Sequence, residues 1–337
     1  MAQPEGNRRL ILARRPTGMV DTETVVLEVG PVPEPGLGEA LVAVRYLSID
    51  PTIRGWMNDA PGYLPPIGIG EVIRSGGVGE VVASRNKRYP VGAMVFGTTG
   101  WQDFVLAGGG QAAMHVLPRW LEPTLALSVF GITGMTAYFG MLDVGRVVEG
   151  DTVVVSGAAG ATGSVAGQIA RIKGAARVVG IAGTPAKCAW LVDGLGFDAA
   201  IDHRRDALRL RLREECPEGI DLYFDNVGGP ILDACLGRLA LRGRVVLCGA
   251  ISRYNDAEPA PGPANYLNLL MRRGRMEGFI ILDYVDRFPE AQAEMAAWVA
   301  SGRIKHAEQI VDGLEQAPEA LNLLFTGGNT GKLIVRV

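Results

Sequence analysis

An α/β protein with a doubly wound parallel sheet is the fold this sequence predicts, on three observations. Residues 151–170 run as a strand, a glycine turn and a helix. After about residue 125 strand-like and helix-like segments alternate. The first 120 residues instead hold short β-like runs between Pro and Gly turns.

The first observation is the most specific. In Asp151-Thr-Val-Val-Val-Ser-Gly157-Ala-Ala-Gly160-Ala-Thr-Gly163, β-branched residues make a buried strand and the glycines follow as G-x-x-G-x-x-G. Such a turn is tight, lets backbone approach a pyrophosphate and opens a helix whose first N–H groups are free to bind it. The alternation then reads as strand 152–156, helix 161–173, strand 177–181, helix 185–193, strand 220–224, helix 230–239 and strand 243–248. In the first part, Thr24-Val-Val-Leu-Glu-Val and Glu39-Ala-Leu-Val-Ala-Val-Arg-Tyr read as strands. The tail predicts an amphipathic helix at Ala317 to Phe325 and a last strand at Lys332 to Val337. A terminal strand needs a sheet to join, and returning it to the β-rich part makes the α/β domain an insertion.

The bulk properties agree. A chain of 337 residues holds two domains, and 48% hydrophobic with 20% charged residues describes a packed globular protein. A net charge of -3 gives no reason to expect nucleic acid or an anionic membrane as partner. Cys188, Cys216, Cys235 and Cys248 form no C-x-x-C and no disulfide ladder, which fits a reducing cytoplasm. The first residues lack the apolar core of a signal peptide. Two uncharged runs, Pro123 to Leu142 and Thr152 to Ala170, are broken by Gly, Ser and Thr and fit buried elements of a water-soluble fold rather than membrane spans.

The strand ending at Ile181-Ala-Gly183 is where an NAD-binding fold places an acid on the ribose 2'-hydroxyl. No acid stands there; Lys187 follows, able to meet a 2'-phosphate. NADP(H) is therefore the expected cofactor, against an ordinary solvated lysine. Asp225-Asn226-Val-Gly228-Gly229 and Cys248-Gly249-Ala250-Ile251-Ser252 carry two further strands into turns, on the side of a parallel sheet where ligands bind. His115, His203 and His306 have no cysteine at a ligand spacing, so a catalytic zinc has no support. No G-x-S-x-G marks a hydrolase.

Several ordered motifs are more specific than one turn. They are Leu47-Ser-Ile-Asp50-Pro51-Thr-Ile-Arg54-Gly55, Gly134-Met-Thr136-Ala-Tyr138-Phe-Gly140, Gly160-Ala-Thr-Gly163, Phe224-Asp-Asn226-Val-Gly-Gly, Cys248-Gly-Ala-Ile-Ser252-Arg-Tyr254-Asn255 and Gly328-Asn329-Thr-Gly-Lys332. Through them nearly the whole chain resembles the zinc-independent branch of the medium-chain dehydrogenase/reductases, in the group of prostaglandin, alkenal double-bond and curcumin reductases. The resemblance implies a GroES-like β-rich catalytic domain of residues 1–125 and 300–337, with an NADP-binding Rossmann domain of residues 126–299 inserted. It implies reduction of the carbon–carbon double bond of α,β-unsaturated aldehydes and ketones, with hydride to the β-carbon and a proton to the α-carbon. The enolate oxygen then needs a donor, and the resemblance makes Tyr254 that donor or the proton source. It places Gly160, Ala161, Thr162 and Gly163 at the pyrophosphate, Lys187 and His203 at the 2'-phosphate and Asn226 along the dinucleotide. Cys248, Gly249, Ala250, Ile251, Ser252 and Tyr254 fall by the ribose and nicotinamide, Ile280, Ile281 and Leu282 near the ring, and Asn329 reaches in from the tail.

Three positions depart from the family's pattern. Thr52 stands where an aromatic residue often lines the substrate pocket, His203 where a tyrosine is common near the 2'-phosphate, and Leu282 where another pocket aromatic is found. Asp50 and Pro51 read as helix cap and first helical residue, with a local ion pair from Asp50 to Arg54. The family also implies a homodimer through the edge strand around Glu277 to Leu282. Competing readings are a quinone oxidoreductase of the same superfamily, a zinc alcohol dehydrogenase and a catalytically silent NADPH-binding structural or regulatory protein.

Overall fold

The computed structural model describes residues 6–110, 114–256, 258 and 261–337, and they form two compact units. One contains residues up to 127 together with 308–337; the other spans 128–307.

The second unit is built on a six-stranded, wholly parallel sheet. Its spatial order is Ala199–Asp202, Arg177–Ala182, Thr152–Ser156, Ile220–Asp225, Leu239–Leu247 and Arg275–Gly278. Numbered along the chain this is 3-2-1-4-5-6, the order of dinucleotide-binding folds, so the doubly wound expectation holds. Val153, Val154, Val155, Val178 and Val179 are completely buried, as strands covered on both faces require. Helix Ala161–Ile172 packs closely because it presents Gly167 to Phe197: a Cβ there would sit 2.0 Å from the ring.

Boundaries differ from expectation at identifiable places. The helix expected over 185–193 is α-helical only at Pro185–Ala189 and continues as a π-helical turn, Trp190–Gly194. The helix expected to reach 239 ends at Leu236, and the next strand begins at Leu239 rather than 243. Residues 301–307 pack with this unit because Gln168 donates to the Lys305 carbonyl at 2.8 Å and accepts from its N–H at 2.8 Å.

The first unit centres on a seven-stranded sheet path ordered Glu308–Asp312, Lys332–Arg336, Glu39–Ser48, Gly76–Ser84, Met94–Thr98 and His115–Val116, with Phe104–Gly108 also paired to Glu39–Ser48. The last strand runs antiparallel to Glu39–Ser48, Val335 opposite Leu47. Helix Ala317–Thr326 buries Ala317, Ala320 and Leu321 in a core with Leu12, Leu47, Ile53, Met57, Trp101 and Leu333, and ends at Gly327 with φ 74°. Positive φ at this position is why a glycine stands there.

At the short helix Thr52–Trp56 the ion-pair expectation is overturned. Pro51, not Asp50, is the capping position, and no side chain caps the helix. Asp50 instead accepts from Lys332 Nζ at 2.6 Å and from the Ser48 hydroxyl. Arg54, 2% exposed, donates to the carbonyls of Gly18 at 2.8 Å and Pro16 at 3.1 Å and to Asn58 Oδ1 at 2.6 Å. Both residues are structural, but each has its own long-range partners.

Candidate functional site

In the second unit most of the expected residues converge on the carboxyl ends of the parallel strands. Strand Thr152–Ser156 ends in Gly157, whose φ of 57° turns the chain back. Gly160 precedes the helix with extended backbone and makes no side-chain cap, so the first N–H groups of Ala161–Ile172 are left for a ligand. Gly163 lies on the turn itself: a Cβ would fall 2.4 Å from the Gly157 carbonyl oxygen and 2.8 Å from the Ala158 Cα. Ala161 and Thr162 complete the helix's first turn.

A second element is basic. At the end of Arg177–Ala182, Gly183 is so placed that a Cβ would lie 3.2 Å from both His203 Nε2 and Arg204 Nε. Burial, then the Arg204 charge, pushes the Lys187 ammonium below its ordinary pKa. His203 is pushed down by burial, then by Arg204, with Asp202 opposing and Lys187 adding to the shift. Thr184 caps the helix that carries Lys187, accepting from its backbone N–H at 3.3 Å. Lys187, His203 and Arg204 are thus three basic side chains sharing one site, each disfavouring the others' charge. Such a cluster suits a dianionic phosphate. Arg204 escapes a sequence reading because only the folded turn turns it toward Gly183. A groove of about 670 Å³ opens beside His203, lined by Leu208, Leu210, Pro230, Ile231 and Ala234.

The third element joins two loops through one carboxylate. Asp225, completely buried, accepts on Oδ1 from Ser156 Oγ at 2.9 Å, Tyr223 OH at 2.7 Å, Val227 N–H at 2.9 Å and Gly228 N–H at 2.9 Å. Asn226 in turn donates to the Ser156 carbonyl at 2.7 Å. The loop after Leu247 is stitched to this one: the N–H groups of Cys248 and Gly249 bond the Asp225 carbonyl, Ile251 bonds Asn226 and Ser252 bonds Val227. Tyr254 folds back so that its phenol oxygen accepts from the Ala250 N–H at 3.2 Å. Burial, then Asp225, pushes the Cys248 thiol up to about 12. It is therefore neutral at pH 7 and no nucleophile. Gly278 pairs with Leu247, so Ile280, Ile281 and Leu282 leave the edge strand beside the Cys248 loop, Leu282 being 41% exposed.

Thr52 and Asn329 belong to the first unit. Thr52 opens the short helix, and Asn329 is buried with its amide donating to the Gly331 carbonyl at 3.1 Å. Lys332 ties the two segments together, donating to the Ile49 carbonyl at 2.9 Å as well as to Asp50. Among the described residues no cluster of three or more His, Cys, Asp and Glu could hold a metal ion, and no helix is long and apolar enough to cross a membrane.

The parallel sheet, glycine turn and basic cluster define a dinucleotide-binding α/β unit, of the kind found in dehydrogenases and reductases. Family models agree: residues 8–116 match the N-terminal domain of oxidoreductase, and residues 161–298 match the model described as zinc-binding dehydrogenase. The chain is 43% identical to the NADPH-dependent curcumin reductase of Escherichia coli (strain K12), covering 99% of this chain and 98% of that one. It is 36% identical to the NADP(+)-dependent 2-alkenal reductase of Nicotiana tabacum, covering 100% and 99%. The crystal structure of CurA from Vibrio vulnificus in complex with NADPH superposes with a TM-score of 0.93 at 43% identity, over 98% of this chain and 99% of that chain. The chain belongs to the medium-chain dehydrogenase/reductase superfamily, in the group of the curcumin, alkenal and prostaglandin reductases.

Proposed function

We propose that this protein is an NADPH-dependent reductase of the carbon–carbon double bond in α,β-unsaturated aldehydes and ketones. The observation that carries the reading is the cluster of Lys187, His203 and Arg204 over Gly183, basic where an NAD site would be acidic. The uncapped helix start and the Cβ-free turn at Gly157 to Gly163 fit a pyrophosphate. The names of full-length relatives support the same cofactor.

NADPH, when bound, supplies the hydride that reaches the β-carbon. The protein's part is to hold the dinucleotide through Gly160 to Gly163, Lys187, His203, Arg204 and Asn226, and to meet the charge that grows on the carbonyl oxygen. Tyr254 takes that second role. By accepting from the Ala250 N–H, its phenol oxygen is better able to bear negative charge, and this makes its O–H a stronger donor. The same proton is available to the α-carbon by way of the enol. Ile280 to Leu282 bound the ring. The edge strand Arg275–Gly278 and the exposed Tyr266, Leu267, Leu270 and Met271 before it support a homodimer, and four free cysteines support a reducing compartment.

Tyr254→Phe should lower kcat/KM for an enone by about 10- to 100-fold while the KM for NADPH stays within about twofold. NADPH oxidation followed at 340 nm, with identification of the saturated ketone, checks this; an undiminished rate would remove Tyr254 from the chemistry. Oxidation of NADPH by none of a panel of enals, enones and quinones would end the enzymatic reading, and turnover of quinones alone would favour a quinone reductase.

The depressed pKa of His203 has a signed consequence. Facing Lys187, Arg204 and Asp202, the imidazole is neutral at pH 7; a 2'-phosphate beside it raises its pKa, so binding takes up a proton and tightens as pH falls. The ratio of NADPH affinity between the unsubstituted protein and His203→Gln should therefore rise from pH 8 to pH 6, measured by fluorescence titration. Taking the ratio cancels the titration of the phosphate itself. A pH-independent ratio would separate His203 from the phosphate.

A further inference from the structure

One motif of the sequence, Gly134-Met-Thr136-Ala-Tyr138-Phe-Gly140, has no part in binding the dinucleotide. It ends helix Ile132–Phe139 and carries Phe139, completely buried, into the π-helical turn Gly140–Val144 of the second unit. Three residues of one later stretch meet the Phe139 ring. Tyr284 lies 4.7 Å from it between centroids with planes tilted by 30°, Phe288 stacks at 6.2 Å and 21°, and the Arg287 guanidinium sits over the ring at 5.0 Å. Positions 284, 287 and 288 share one helical face, where the 3-10 turn Ile281–Arg287 runs into helix Phe288–Ala300. Arg287 also pairs with Asp143 of the π-helical turn, so charge as well as ring packing binds this stretch to the motif.

Gly140 brings in the other end of the stretch. A Cβ there would fall 2.7 Å from Phe224 Cε2 and 2.8 Å from Phe279 Cζ, so a glycine lets both rings come this close. Phe224 immediately precedes Asp225 and the Asn226 turn; Phe279 immediately precedes Ile280. Phe279 and Tyr284 then meet edge-on, with centroids 6.2 Å apart and planes at 85°, a geometry that aromatic pairs favour. The chain between them is thereby closed into a short arch that carries Ile280, Ile281 and Leu282, and within it the Asp283 N–H bonds the Ile280 carbonyl at 3.1 Å. Burial, then the charges of Asp143 and Glu277, pushes the pKa of the Tyr284 phenol up, and the ring rather than the hydroxyl makes the aromatic contacts.

We propose that Tyr284 is a positioning residue for the nicotinamide: its ring, in contact with both Phe139 and Phe279, sets the height of the arch on which Ile280 to Leu282 bound the cofactor ring. This rests on the reductase reading, which puts those three residues at the nicotinamide. Tyr284 acts only through the arch. Hydride transfer asks for reacting atoms about 3–3.5 Å apart, and a wall displaced by about 1 Å lets the ring leave that geometry. The phosphate end of the dinucleotide, held by Lys187, His203 and Arg204, stays bound. Through Phe224 and Phe279 at Gly140, the Asn226 turn and the arch take their spacing from one helix end.

The test separates the two ends of the cofactor. Adenosine 2',5'-bisphosphate keeps the 2'-phosphate and lacks the nicotinamide, so its affinity, measured by competition, is compared with that of NADPH for the unsubstituted protein, Tyr284→Ala, Tyr284→Leu and Tyr284→Phe. With 3-nonen-2-one as substrate, Tyr284→Ala should lower kcat by about tenfold and weaken NADPH by about fivefold relative to the bisphosphate. Tyr284→Leu, which fills the space without a ring, should move both in the same direction by about threefold. Tyr284→Phe keeps the ring and should restore both to within about twofold. An unchanged kcat and affinity ratio in Tyr284→Ala overturns the assignment. So does equal weakening of NADPH and the bisphosphate, as a merely structural loss would give, or a Tyr284→Phe that falls as far as Tyr284→Ala. If the unsubstituted protein does not reduce the enone, the reductase reading alone is lost, because the affinity ratio still decides Tyr284.

Discussion

Replacing Lys187 by alanine is expected to raise the KM for NADPH by about 10- to 100-fold, with kcat changed by less than about threefold. The ammonium is half-buried at a site it shares with Arg204 and His203, and the neighbouring charge already makes its protonated form costly. A dianionic phosphate offsets that cost by adding negative charge beside the cluster, and a charge-assisted hydrogen bond of this kind contributes about 1.5–3 kcal/mol. NADH, which lacks the phosphate, should lose little, so the ratio of the two cofactors falls by nearly the whole effect. Arg204→Ala should act in the same direction. The double substitution should fall short of the sum in free energy, since both cations address one group. Steady-state kinetics with both cofactors decides it; equal losses for NADPH and NADH would show that Lys187 acts elsewhere.

The second large effect concerns stability. Asp225→Ala leaves four donors without their acceptor, two of them backbone N–H groups of the turn that carries Asn226, inside a fully buried site. Breaking a buried charged network by removing one partner costs about 3–5 kcal/mol. The urea midpoint of the second unit should fall accordingly, and cofactor affinity with it, because the Cys248 loop hangs on the same segment. Asp225→Asn should be milder. Its carbonyl oxygen can keep the Oδ1 role, and its amide would occupy the Oδ2 position, which has no hydrogen-bond partner. A loss below about 1 kcal/mol for Asp225→Ala would show that the turn is held by its backbone alone.

The sheet that carries the cofactor site was legible because its strands are buried on both faces and read as unbroken β-branched runs. What escaped did so for physical reasons. Leu208–Glu215, Leu-Arg-Leu-Arg-Leu-Arg-Glu-Glu, alternates with the period of a strand yet is a helix that buries only Leu212, supported by Arg211 pairing with Glu214 and Glu215. Ala199–Asp202 and Arg275–Gly278 are strands of four residues, too short to show a period, and the sheet rather than their own sequence defines them. In the site, the glycine turn and Lys187 could be found by position along the chain. Arg204 could not, since it matters through Gly183 and Lys187, which the fold rather than the local sequence brings to it. The expected Asp50 to Arg54 pair failed for the same reason, nearness in sequence having been taken for nearness in space.

The last strand, Lys332–Arg336, lies between Glu308–Asp312 and Glu39–Ser48 rather than at an edge. During synthesis the α/β unit is complete once residue 307 has emerged, and its parallel sheet can close on its own. The β-rich unit cannot: Phe104–Gly108 pairs with the Glu39–Ala43 half of the central strand, but its Tyr46–Ser48 end waits for Lys332–Arg336. The unit begun before the α/β unit is completed after it, and for the time taken to make some two hundred residues that one end of its central strand is open to wrong partners. A folded α/β unit standing between the two halves limits the routes by which the tail can find its place, so the insertion that shapes the enzyme also orders its birth.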